Sequence, residues 1–414
     1  MNTITFNNKN IKAYKWELIV LLWFAFFFNQ ADRQIFNVVI PSIKSDLGLD
    51  DAQIGLVASI LVLTYGILVP ITGYIGDRYD KKKIIFFSLL FWSTATLFTG
   101  SSTLLIHLVL LRGLATGGGE AFYAPAANAL ISEYHNKTRA TAMSIHQTAV
   151  YTGIILSGLI TGYIAETFGW RYAFFTFGGG GIILAIIIYF RMKPSKPQVS
   201  TNDEEKVSIQ KALPVFFKKP TAILLAFAFA GMVFTNVGYL TWMPTYLYEE
   251  FGQSLTSAGF NSMFYHHVLA YVGLMFFAAL SDKLMKKRDT IRLEIQGLSL
   301  LLGAPAIYFM GVSKTVVGVY IGLAVFGIFR GGYDSNIFAA LYDVIEPKYR
   351  SSATGIMLMF AFVTGASAPY ILGLMKPVLG LSNALASLSI AYVFAALCIF
   401  VALKVFYDKD KIME

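Results

Sequence analysis

Apolar blocks of about 20 to 30 residues recur along the whole of this 414-residue chain, and no other feature restricts its fold as strongly. A helix rises about 1.5 Å per residue, so each block is long enough to cross a hydrocarbon layer of roughly 30 Å. Twelve can be counted, near 16–41, 52–76, 84–101, 104–132, 139–165, 171–190, 219–248, 257–281, 292–312, 315–343, 352–376 and 383–406. Charged residues make up 14% of the chain and apolar ones 56%, against roughly 25% charged in an average soluble domain. The expected fold is an all-α membrane protein of twelve transmembrane helices.

A net charge of +9 raises the question of a nucleic-acid partner, and the placement of the charges answers it. With the N-terminus inside, Lys9, Lys12, Lys15, Arg78, Lys81 to Lys83, Lys137, Arg139, the tract from Arg191 to Lys219, Lys283 to Arg288, Lys348, Arg350 and the C-terminal lysines fall on one side. Lys44, Arg171, Lys314 and Lys376 fall on the other. This positive-inside pattern places both termini in the cytoplasm and makes the basic balance a matter of orientation in the lipid bilayer, with no nucleic acid as partner. The first block is too long for a signal-peptide core and no small-residue cleavage site follows it, so no cleaved leader is expected. Cys398 is the single cysteine, which leaves no disulfide framework.

One long polar segment, from Arg191 to Lys219, divides the blocks six and six and reads as a cytoplasmic linker. The expected organisation is an N-terminal six-helix half over 1–190, a linker over 191–218 and a C-terminal six-helix half over 219–414. The halves look like weak repeats. Asp77-Arg78 ahead of Lys81 to Lys83 is echoed about 205 residues later by Asp282-Lys283 ahead of Lys286 to Arg288, and Ser132-Glu133 to Arg139 is echoed by Tyr342-Asp343 to Arg350.

The stretch GYIGDRYDKKK, from Gly73 to Lys83, resembles the signature loop between the second and third helices of the major facilitator superfamily, and the resemblance covers nearly the whole chain. Within it, NQADRQIF in the first block and LRGLATGGGEAFYAP in the fourth resemble the anion:cation symporters, which carry sugar acids and other organic anions. The same segments also resemble the Spinster-like lipid transporters. The resemblance implies two six-helix halves that rock about a midplane cavity, with a monomer as the default state. It also implies a conformational role for Gly73, Asp77 and Arg78, as a helix-end latch on the cytoplasmic side that does not touch substrate.

A charge at the bilayer centre costs at least about 2.5–3.5 kcal/mol, so ionisable residues inside the blocks are functional candidates. They are Asp32 and Arg33 in the first block, Arg112 and Glu120 in the fourth, His146 in the fifth, and Arg330 and Asp334 in the tenth. The first block runs outward to near Pro41 and the fourth inward from near Leu104, so Arg33 and Arg112 both lie roughly 12 Å from the outer end. If both helices line the cavity, as the family fold implies, the two guanidiniums can grip one carboxylate through paired hydrogen bonds. Asp32 and Arg33 are about 100° apart around a helix and cannot point the same way. Glu120 lies roughly 12 Å deeper than Arg112.

Burial favours the protonated acid and a neighbouring arginine favours the carboxylate, so a site whose arginine is claimed by substrate changes its hold on a proton. The resemblance assigns Arg33 and Arg112 to substrate and Asp32 and Glu120 to protons. The interval from Arg112 to Glu120 is eight residues, where the family pattern has seven. A π-bulge or unwound turn in or near Gly117 to Gly119 is expected to restore the alignment.

Plainer roles stand beside these. Asp32–Arg33 could be a structural pair, Arg330 and Asp334 are four apart and could pair along one helix instead of gating or binding, and His146 could be an interior hydrogen-bonded histidine instead of a proton relay. Gln30, Tyr65, Tyr123, Asn236 and Tyr239 could supply the amide and hydroxyl partners that a polyhydroxylated substrate needs. Trp242 reads as interfacial. Gly153, Gly158 and Gly162 read as small-residue packing against a neighbouring helix. His266-His267 has no metal-ligand context, and no phosphate loop or nucleophile elbow appears. The expectation is therefore a transporter and not an enzyme, without metal or cofactor, driven by a proton gradient.

Taken together the residues read as a multi-pass protein of the plasma membrane, the inner membrane of a bacterium, importing an organic anion with protons. A sugar acid of the hexuronate, aldonate or sialate type is the expected substrate. A Spinster-like carrier of lysolipids or other amphiphiles, a proton-driven exporter and a receptor that binds without turnover are the alternatives.

Overall fold

The structure, a computed structural model, describes residues 8–195 and 209–412. The side chains at 8–13, 73–74, 76–78 and 209–211 lie outside that description, and with them the expected latch residues Gly73, Asp77 and Arg78; of the expected linker, 196–208 lies outside it too.

The described chain is helical almost throughout. Helix α1 (Asn8–Leu47) is 40 residues long, with polar residues extending it beyond the apolar block at both ends. It stops at Gly48, whose φ of 63° is left-handed, and Asp50 then starts α2 (Asp51–Arg78) with a capping box. Asp50 accepts from the Gln53 amide at 2.7 Å while the Gln53 side chain accepts from the Asp50 amide at 3.0 Å. The Asp80 carboxylate caps α3 (Lys81–Thr99) through the Lys82 amide at 3.0 Å.

The next run, α4, is made of four pieces: Leu105–His107, a π-helical stretch Leu108–Thr116, Gly117–Glu120 and, beyond a turn at Ala121 and Phe122, Tyr123–Tyr134. Then come α5 (Arg139–Phe168), α6 (Trp170–Arg191) and a short α7 (Ile209–Phe217). After these follow α8 (Pro220–Phe251), α9 (Leu255–Met285), α10 (Ile291–Val312) and α11 (Val316–Asp334), the last continued by Ile337–Tyr342. Finally α12 (Arg350–Gly365) leads into α13 (Ser367–Val401), broken at Gly380, where φ 77° and ψ 156° end one rod and begin another.

Eight helical runs among the described residues are long and apolar enough to cross a membrane. Val378, Phe190 and Ile390 expose 80, 76 and 69% of their surfaces, which is costly in water and not in lipid. Trp242, expected at an interface, is instead completely buried on α8, where its indole N–H donates to the Pro369 carbonyl at 3.0 Å.

The helices before and after residues 196–208 meet most tightly at the end remote from the chain termini, called the far end below. There α5 and α9 cross with backbones almost touching: a Cβ on Gly158 would lie 2.3 Å from the Gly259 carbonyl oxygen, and one on Gly162 would lie 2.4 Å from the Thr256 Cα. Glu166 accepts from the Thr256 hydroxyl at 2.5 Å and from its amide at 3.2 Å. On the opposite flank, Lys376 binds Asp51 at 3.0 Å and Glu249 at 2.7 Å, and Asp51 also holds Lys44 at 2.7 Å. For Gly158 and Gly162 the small-residue reading of α5 therefore describes packing across the two sets of helices, whereas Gly153 packs on α1, where a Cβ would lie 2.9 Å from the Phe27 carbonyl oxygen.

Candidate functional site

Between the two sets of helices lies a cavity of about 250 Å³. Its α1 wall is a polar stripe: Gln30, Arg33, Gln34 and Asn37 follow one another at helical spacings of three, one and three and so share a face. The Asn37 amide donates to Gln34 Oε1 at 3.1 Å, which fixes the outer part of the stripe. Tyr65 from α2, Arg112 from α4 and Tyr151 from α5 complete this side. Facing them are Asn236 and Thr241 from α8, His267 from α9, and Arg330 and Asp334 from α11.

Arg33 is held at two points by α4. Its Nε lies 2.7 Å from Glu120 Oε2, and its backbone carbonyl accepts from Arg112 Nη2 at 2.8 Å. Its guanidinium also lies over the Tyr65 ring, 4.2 Å from the centroid, a cation–π contact. Glu120 itself is 1% exposed, with Oε1 unpartnered. Among the described residues no carboxylate pairs with Arg112, whose Nη1 has no hydrogen-bond partner although the residue is 3% exposed. Asp32 points away from the cavity, accepting from the Thr96 hydroxyl of α3 at 3.2 Å.

The π-helical stretch accommodates the eight-residue interval. It spans Leu108–Thr116 and includes Arg112, so it precedes the three glycines, which are α-helical. The Thr116 hydroxyl donates to the Leu111 carbonyl five residues back at 2.9 Å. With this extra residue taken up, Arg112 and Glu120 both reach Arg33.

Across the cavity, Arg330 donates to the Asn236 side-chain oxygen and lies 3.4 Å from His266 Nε2. Its Nε is 3.3 Å from Asp334 Oδ2, close enough for an ion pair but without hydrogen-bond alignment, and Asp334 Oδ1 has no partner. His267 Nδ1 is committed to the Met263 carbonyl at 2.8 Å.

Of the residues singled out in the sequence, Gln30, Arg33, Tyr65, Arg112, Asn236, Arg330 and Asp334 are brought together around the cavity. Tyr123, Tyr239 and His146 are not among its lining residues. The Tyr123 hydroxyl donates to the Leu22 carbonyl at 2.5 Å and contacts His146 Nε2 at 2.9 Å, while Phe26 stacks on the imidazole. The Tyr239 hydroxyl donates to the Ser262 carbonyl at 2.6 Å. Gln34, Asn37, Tyr151, Thr241 and His267 were not anticipated. The signal for the first two was the stripe with Gln30 and Arg33; the others carry no distinguishing pattern.

A polar cavity between two sets of apolar helices suits a carrier, and residues 22–369 match the Major Facilitator Superfamily. The chain belongs to that superfamily. This member of it is 27% identical over 376 residues to the Hexuronate transporter of Bacillus subtilis (strain 168), 87% of each chain being covered. It is 24% identical over 390 residues to Protein spinster homolog 1 of Xenopus tropicalis, covering 87% of this chain and 72% of that one. Among solved structures, a bacterial homolog to the human lysosomal transporter Spinster, inward-facing and unoccupied, matches with a TM-score of 0.85 at 21% identity. That match covers 97% of this chain and 99% of the other, and likeness at this identity speaks for the fold. As a superfamily member the protein is a transporter, not an enzyme, and an integral multi-pass membrane protein.

Proposed function

We propose that this transporter imports a sugar acid together with protons, by alternating access of two six-helix halves, 1–190 and 219–414, joined by a cytoplasmic linker. In this reading it has twelve spans, its termini are cytoplasmic, its membrane is the plasma membrane and the far end faces outward. The observation that carries the proposal is Arg112, buried beside the cavity next to Arg33, with no carboxylate paired to it among the described residues. A buried cation left in that state suits an anionic ligand, and a carboxylate matches its fork.

The cavity's lining favours a sugar acid over a lipid: Arg33, Arg112, Arg330 and Asp334 put charged groups on both of its walls. The amides of Gln30, Gln34, Asn37 and Asn236 supply donors and acceptors for hydroxyl groups.

Coupling follows from the hold of Glu120 on Arg33. A substrate carboxylate arriving at Arg112 and Arg33 competes with Glu120 for the same guanidinium, and Glu120 released into a buried setting takes up a proton. Asp32, enclosed against Thr96, is the second proton-carrying candidate.

The test is uptake into proteoliposomes of sugar acids, neutral sugars and lysolipids, with and without an inward proton gradient. Accumulation of one sugar acid that collapses with an uncoupler supports the reading. The 24% identity to Protein spinster homolog 1 supports a second reading, a Spinster-like carrier of amphiphiles; lysolipid movement with silence on every acid would put that reading in its place.

A further inference from the structure

We propose that Asp334 makes the cavity selective for sugar acids carrying one carboxylate over those carrying two. The inference rests on the sugar-acid reading above and sharpens it.

The two walls differ in how their arginines are paired. On the α1 and α4 side, Arg112 has no carboxylate partner among the described residues and an unpartnered Nη1. On the α11 side, Arg330 already has the Asp334 carboxylate 3.3 Å from its Nε, so that arginine is neutralised where it stands. What the second wall still offers is acceptors. Asp334 lines the cavity with 19% of its side-chain surface accessible, while its Oδ1 is enclosed without a hydrogen-bond partner. His267 must donate from Nδ1, because the Met263 carbonyl can only accept, and a neutral ring then presents Nε2 as an acceptor.

A carboxylate accepts hydrogen bonds and donates none, so Asp334 suits the O–H groups of a hydroxylated carbon chain. A second substrate carboxylate at that position would meet a like charge where water screens it poorly. Arg112 and Asp334 line the same cavity, so a molecule anchored at Arg112 and spanning it brings its other end to this wall. The Arg330–Asp334 pair is neutral overall, so while Asp334 keeps its charge this wall offers a second carboxylate no uncompensated cation to replace its lost hydration.

The experiment measures equilibrium binding to the purified full-length protein in lipid nanodiscs. The probes are glucuronate and gluconate, with one carboxylate, and glucarate and galactarate, with two. The wild-type protein is expected to prefer the single acids by about tenfold or more. Asp334→Asn, which keeps shape and removes charge, should raise the ratio of double-acid to single-acid affinity by about tenfold, and Asp334→Glu should keep the wild-type preference. The ratio is taken within each variant, so a partly unfolded preparation does not distort it. Equal or tighter binding of the double acids by the wild-type protein, or an unmoved ratio in Asp334→Asn, overturns the role of Asp334 and leaves the sugar-acid reading intact. Failure of all four acids to bind while lysolipid binds overturns both.

Discussion

Arg33 and Glu120 meet at 2.7 Å, Nε to Oε2, and this contact ties α1 to α4 beside the cavity. Its direction follows from helix geometry. Side chains tilt toward the N-terminus of their own helix, so the Arg33 guanidinium leans toward the end where α1 begins, while its carbonyl points toward the far end. Because α4 runs the opposite way, Arg112 meets the carbonyl and Glu120, eight residues on, meets the guanidinium.

Replacing Glu120 by glutamine keeps the shape and removes the carboxylate that competes for Arg33. Binding and counterflow exchange should persist, whereas accumulation driven by a proton gradient should be lost. Uphill uptake at the wild-type level in Glu120→Gln proteoliposomes would remove this residue from the coupling scheme.

Arg112→Ala should weaken sugar-acid binding by about 30-fold or more, the ~2 kcal/mol expected when one side of a buried charged contact is deleted. Arg112→Lys should recover only part of this, because an ammonium lacks the planar fork. Calorimetric titration of both variants measures the difference, and an unchanged affinity in Arg112→Ala would place the carboxylate elsewhere.

Asn37 lies one turn beyond Arg33 on the polar stripe. Asn37→Ala should cost about fivefold in affinity for a hydroxylated acid, near the ~1 kcal/mol of one hydrogen bond, and should leave a small acid without hydroxyl groups unaffected. Titrating the variant with gluconate and with a short unsubstituted carboxylic acid separates the two; equal losses for both would argue against hydroxyl recognition by this side chain.

Gly158 faces the Gly259 carbonyl so closely that even one methyl group cannot enter without parting α5 from α9. Gly158→Val should hold the far end open and reduce transport by more than about tenfold while the protein remains folded. Ser59 of α2 is buried and accepts from the Tyr370 amide of α13 at 3.2 Å, so a cysteine introduced as Ser59→Cys, in a Cys398→Ser background, should become more reactive toward a water-soluble alkylating reagent. Unchanged labelling together with normal transport would show that this crossing is not needed for closure.

The helices were legible because lipid imposes a length: the block near 52–76 lies within Asp51–Arg78, and the block near 171–190 within Trp170–Arg191. The charged residues of the cavity were legible for the same reason, since Arg33, Arg112, Arg330 and Asp334 interrupt apolar runs at a cost. What a helix face meets is set by the neighbouring helices, and the local pattern is silent on it. Tyr123 and Tyr239 looked like ligand donors but are spent on backbone carbonyls, and Trp242 looked interfacial but is enclosed. The π-helical turn was inferred from an interval of eight, yet it begins before the glycines, because an extra residue can be taken up anywhere in a helix whose neighbours allow it.

The ion cluster at the far end divides evenly. Lys44 and Asp51 belong to the helices before residues 196–208, Glu249 and Lys376 to those after them, and the one contact of the cluster that crosses is Lys376 to Asp51. Pulling the two sides apart gives up that contact but strands nothing, because each carboxylate leaves with a lysine of its own. The cluster therefore parts as two neutral pieces, and neither Lys376 nor Asp51, 11 and 10% exposed while it is closed, is bared as an unpaired charge.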